Sequence, residues 1–129
     1  MAKSSLALLG GPRAITADPR LSPSAQRVFL GGGNTLLLSA ASLWEIAIKV
    51  RIGKLPLPQP ANRYLREQLS RNAIEVLPVG AAHVLRLFEL PDIHRDPSDR
   101  LLVAQCQLEG LPLVSGDVQM RQYAVEILW

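Results

Sequence analysis

The stretch DPSDRLLVAQCQLEGLPLVSGD, residues 96–117, is the part of the chain on which the fold reading turns. It opens with Asp96 and Pro97, residue types suited to the N-cap and the first position of a helix. A largely apolar run follows as far as Gly110, and glycine is the commonest stop for a helix because it accepts a left-handed conformation. LPLVS (111–115) is then a short, uniformly apolar strand, and it leads straight to Asp117 and a short helix, VQMRQYA (118–124). A strand with no polar alternation is one buried on both faces, as in a parallel sheet covered by helices.

Outward from this stretch the alternation continues. SPSAQRVFL (22–30) reads as a helix opened by Ser22 and Pro23 and closed by Gly31-Gly32-Gly33. TLLLS (35–39) is a buried strand. SLWEIAIKVRIGK (42–54) is a helix, with apolar residues at 43, 46, 47 and 50 on one face. LPLPQP (55–60) is a connector, ANRYLREQLSRN (61–72) an amphipathic helix and IEVLPV (74–79) a strand. AAHVLRLFEL (81–90) is a helix stopped by Pro91, and VEILW (125–129) is a last strand. Strands alternating with helices predict an α/β sandwich around a mostly parallel sheet. Such sheets carry their sites in the crevice outside the carboxyl ends of the strands.

The 129 residues suit one domain with one core, and 48% hydrophobic with 19% charged residues is ordinary for a globular protein. No run of 18 apolar residues occurs, so no membrane span is expected, and Leu6–Leu9 is too short for a signal-peptide core. The lone cysteine, Cys106, excludes an internal disulfide, fits a reducing compartment and reads as a small core residue. A net charge of +3 and a pI near 9.5 are compatible with a phosphate-bearing partner. The basic residues gather in KVRIGK (49–54) and at Arg63, Arg66 and Arg71, which equally describes solvated helix faces.

Each candidate acid has two readings. Ser42-Leu43-Trp44-Glu45 fits a capping box, with Glu45 returning a hydrogen bond to its cap; alternatively Glu45 is a metal ligand or general base. Asp96 suits the N-cap, and Asp99 then falls in the first turn, where a negative charge complements the helix dipole. Asp117 can cap the short helix that follows it. Taken together, carboxylates on loops that share one sheet edge repel each other unless a cation neutralises them. Mg²⁺ or Mn²⁺ suits oxygen ligands, and such an ion can activate water for attack on a phosphodiester. With basic flanks, this points to a metal-dependent nuclease. No G-x-G-x-x-G or Walker-type loop supports a nucleotide-binding protein instead.

SAASLWEIAIKVRIGKL (39–55), HVLRLFELP (83–91), HRDPSDRLLVAQCQLEGLPLVSGD (94–117) and QYAVEILW (122–129) together resemble the PIN-domain toxins of bacterial VapBC toxin–antitoxin pairs, over about Asp18 to Trp129. The resemblance implies a three-layer α/β/α sandwich with a parallel central sheet, over a single domain spanning 1–129. It implies a cytoplasmic endoribonuclease that uses Mg²⁺ or Mn²⁺, acts on RNA, forms a homodimer and is inhibited by a cognate antitoxin. Carried over residue by residue, it makes Glu45, Asp99 and Asp117 the catalytic, metal-holding acids, supported by Asp96 and Ser115. Lys49, Arg51, Arg95 and Arg100 are candidates for RNA contacts, and His94 for a general acid, with a structural place before the helix cap as its plainer role.

The chain departs from that family over residues 1–17. The family opens with a strand of the type LLLDTH, whose aspartate is its first metal ligand; here the chain reads MAKSSLALLGGPRAITA, with no acid before Asp18. LALL (6–9) can still form a central strand, while Gly10, Gly11 and Pro12 disfavour a helix directly after it. Two functional readings stand: a ribonuclease toxin, or a catalytically silent PIN-like protein that only binds an antitoxin-type partner. A start differing from the natural one would also account for the missing acid. An aspartate restored near Leu9 or Gly10 is expected to strengthen Mn²⁺ binding.

Overall fold

LALL does form the central strand. In a computed structural model, which describes residues 5–10, 34–93 and 96–128, strand β1 (Ser5–Leu9) pairs with β2 (Asn34–Ser39) on one side and β4 (Leu113–Val114) on the other. With β3 (Ile74–Leu77) outside β2 and β5 (Ile127–Leu128) outside β4, the order is β3-β2-β1-β4-β5, and every pairing is parallel. The chain steps outward on one side of β1 and then crosses to the other. The topological switch point therefore lies between β1 and β4.

Helices α1 (Ala40–Arg51), α2 (Ala61–Arg71), α3 (Ala81–Arg86) and α4 (Pro97–Glu109) complete the described elements, with 3₁₀ turns at Leu87–Glu89 and Val118–Gln122. Side chains alternate across a strand, so β1 feeds two cores. Leu8 joins Leu37, Leu113 and the α4 residues Leu102, Val103 and Cys106 on one face. Ala7 and Leu9 join Leu36, Leu38, Val114 and Ile46 of α1 on the other, with Leu65 and Leu69 of α2 packed against them. This is the three-layer α/β/α arrangement expected.

The ends of α4 follow its sequence. Asp96 is the N-cap, its Oδ1 accepting from the Ser98 amide at 2.9 Å, Pro97 sits in the first turn, and Gly110 closes the helix at φ +66°. Asp96→Ala is expected to lower stability by about 1 kcal/mol, read as a lower urea midpoint; an unchanged midpoint would mean the cap bond contributes nothing. His83 ties α3 to α4: its Nδ1 accepts from the Gly80 amide at 2.9 Å, which leaves the proton on Nε2, 2.9 Å from Glu109 Oε1.

Other boundaries differ from expectation. α1 begins at Ala40, not Ser42, because Ser39 at the end of β2 caps it, Oγ accepting from the Ala41 amide at 3.1 Å. Ser42 and Glu45 thus lie inside the helix and form no capping box. α1 stops at Arg51, before Gly53 at φ +75°. The 81–90 segment tightens from α to 3₁₀ ahead of Pro91, the helix expected over 118–124 is a 3₁₀ turn over Val118–Gln122 only, and the last two strands are two residues each. The expected helix over 22–30, its Gly31-Gly32-Gly33 stop, and His94 and Arg95 fall outside the described residues.

Cys106 is a core residue, 1% exposed, and burial pushes its thiol from 9.0 up to about 12. Between those two values the unfolded chain has released a proton that the folded chain still holds, so this group makes stability fall as pH rises through the window. Below 9.0 it has no effect on stability. Urea midpoints for the wild type and Cys106→Ala should therefore diverge in their pH dependence only above that lower limit; parallel curves throughout would contradict the burial effect.

Candidate active site at the carboxyl edge

β2 runs directly into α1, which places Ser39, Ser42 and then Glu45 at the carboxyl edge of the sheet and in the helical turns above it. α4 runs back along the sheet and its C-terminus feeds β4 through Gly110, so its N-terminus, with Asp96 and Asp99, returns to that same edge. β4 is followed directly by Ser115 and, two residues on, by Asp117. The topology thus carries Glu45, Asp99 and Asp117 to one edge, as the crevice rule predicts.

The local partners are specific. Glu45 Oε1 lies 3.0 Å from Lys49 Nζ, one helical turn on. Asp117 caps the 3₁₀ turn, its Oδ1 accepting from the Gln119 amide at 2.9 Å, while its own amide donates to Ser115 Oγ at 3.2 Å. Ser115 is buried, so it braces the loop that presents Asp117, and Met120 anchors that loop in the core. Asp99 stands in the first turn of α4, next to the Asp96 cap.

Among the described residues, however, no three of Asp, Glu, His and Cys come close enough together to hold one metal ion. The fold supplies the reason. Glu45 stands on the helix that packs its Ile46 into one core, Asp99 on the helix that covers the other, and Asp117 on a loop beyond β4. At the end of β1, between them, is Gly10, which has no side chain to offer. The described acids alone do not form a divalent-ion cage.

The basic candidates are spread out as well. Lys49 is engaged by Glu45. Arg51 lies in the last turn of α1, eleven residues beyond Ala40 and about 16 Å along the axis, away from the carboxyl edge. Arg100 donates from Nη1 to the Pro91 carbonyl at 2.9 Å and from Nη2 to the Leu87 carbonyl at 3.1 Å, binding the start of α4 to the segment before it. Three polar features of these helices go beyond the sequence reading. Ser39 is the cap, and its place as the last residue of an apolar strand was the available signal. Ser42 Oγ on α1, expected as a cap, and Gln105 Oε1 on α4 are buried with no hydrogen-bond partner among the described residues.

A sequence profile of the family described as PIN domain matches residues 10–126. The chain belongs to the PIN domain family. This PIN domain is also 50% identical over 50 residues to Ribonuclease VapC16 of Mycobacterium tuberculosis, a match covering 39% of this chain and 36% of that protein. It therefore spans little more than a third of that relative's length. Its fold is similar to that in the crystal structure of VapBC2 from Rickettsia felis bound to a DNA fragment from their promoter, with a TM-score of 0.69 at 18% identity, covering 96% of this chain and 99% of the other.

Proposed function

We propose that this PIN domain is the endoribonuclease toxin of a VapBC-type toxin–antitoxin pair, acting on RNA phosphodiesters in the cytoplasm. What supports this reading is that strand direction carries three acid-bearing segments, those of Glu45, Asp99 and Asp117, to the carboxyl edge of the sheet. The local identity to Ribonuclease VapC16 supports it, and the resemblance to the VapBC2 complex supports an antitoxin as partner. Assembly as a homodimer and dependence on Mg²⁺ or Mn²⁺ are parts of the same proposal. No helix among the described residues is long and apolar enough to cross a membrane.

A second reading is favoured by a specific observation. Gly10 stands where β1 ends, and no three described acids converge, which suits a PIN-like protein that binds an antitoxin without cutting RNA. RNA cleavage by the purified chain, with Mn²⁺ and with the ion removed by EDTA, separates the two. Cleavage that needs the ion is the expected result. No cleavage under either condition by a folded chain that still binds its antitoxin would replace the first reading with the second.

A further inference from the structure

We infer that the switch point of this PIN domain is sterically closed at Gly10, so that a carboxylate cannot be installed at the end of β1 to complete a divalent-cation site. The inference rests on reading this edge as the place where such an ion would sit, but its test does not depend on RNA being cut.

Gly10 follows Leu9, which pairs with Val114 of β4. A Cβ built on residue 10 would run into the Val114 carbonyl oxygen and lie 3.1 Å from Ser115 Cβ and 3.3 Å from Ser115 Cα. Non-bonded heavy atoms at optimal separation stand about 3.5–4.0 Å apart, so the first of these contacts is prohibitive. The obstacle is backbone and cannot swing aside. Val114 is held in register between Leu9 of β1 and Leu128 of β5, and the Ser115 amide donates to the Leu128 carbonyl at 3.2 Å. The two described glycines with a left-handed φ are Gly53 and Gly110, so what requires glycine at position 10 is close approach rather than backbone conformation.

The position before it offers no alternative. Leu9 is fully buried in the apolar core with Leu36, Leu38, Ile46 and Val114. A carboxylate there would have to lose its charge or leave the core. An aspartate at either position therefore meets the main chain of β4 or the apolar core before it can reach an ion.

Gly10→Ala and Gly10→Asp in the full chain test this, read by thermal unfolding and by calorimetric titration with Mn²⁺. Gly10→Ala is expected to lower the midpoint by several degrees although it adds one methyl group. Gly10→Asp is expected to lower it further and to leave the Mn²⁺ affinity where the wild type has it. Failure of Gly10→Asp to fold, with Gly10→Ala folded at a lowered midpoint, also supports the closure. A Gly10→Ala midpoint equal to that of the wild type would overturn it, because the junction would then have room. So would about tenfold tighter Mn²⁺ binding by Gly10→Asp, the scale on which shaping a metal site shows itself.

Discussion

Leu8→Ala is expected to destabilise this PIN domain by about 2–5 kcal/mol, the range for removing a large side chain from a well-packed core. Leu8 is fully buried on the central strand. Its register neighbours are Leu37 on β2 and Leu113 on β4, and it belongs to the same core as Leu102 and Val103 of α4. Both flanking strands and the covering helix are fixed by their own pairings, so the space left by the side chain cannot easily collapse. A domain of this size has a total stability of about 5–15 kcal/mol, so this one change removes a large part of it. Leu6 is the internal comparison. It lies two residues earlier on the same strand but is 42% exposed, so Leu6→Ala should have a clearly smaller effect. Urea unfolding measures both, as midpoints at an unchanged slope. Equal losses for Leu6→Ala and Leu8→Ala would mean that LALL is not the middle of the sheet.

The fold was legible wherever a local rule was sufficient. TLLLS and LPLVS show no polar alternation in their middles, as strands covered on both faces do not, and the Asp96-Pro97 start and Gly110 stop of α4 are set by residues within one turn of each end. The start of α1 was misread because Ser39 and Ser42 are both good caps. What decided between them was where β2 ends, a fact about pairing with β1 and β3 rather than about the local sequence. The site shows the same division. That Glu45, Asp99 and Asp117 reach one edge follows from strand direction and is readable in advance. Their spread over it depends on which face each helix covers. The distance from Gly10 to the Val114 carbonyl joins residues more than a hundred positions apart, and no local pattern encodes it. Lys49 and Arg100 carry the charge that suggests phosphate contacts, yet a carboxylate one turn away and two main-chain carbonyls engage them.

Under the proposed function, Asp99→Asn is expected to reduce RNA cleavage by on the order of a hundredfold or more while the chain stays folded, since altering even the outer partners of a metal site costs about 10–100-fold. The two effects separate because of where Asp99 stands. It follows the N-cap by three residues, so its negative charge favours the helix dipole by about 0.3–1 kcal/mol, and Asn keeps its shape while losing that small term. Asp96 remains to cap α4, so the helix start survives. Asp96→Asn is the matched comparison. Asparagine is as good an N-cap as aspartate, so a residue whose work is capping should tolerate this change in both stability and cleavage. Cleavage lost in Asp99→Asn and kept in Asp96→Asn would divide the two neighbouring acids into one that acts on RNA and one that holds the helix. Equal losses in both would mean that the edge acts through its summed negative charge rather than through a particular carboxylate. Cleavage kept in both would remove this edge as the site of reaction, and the PIN fold would then serve binding alone.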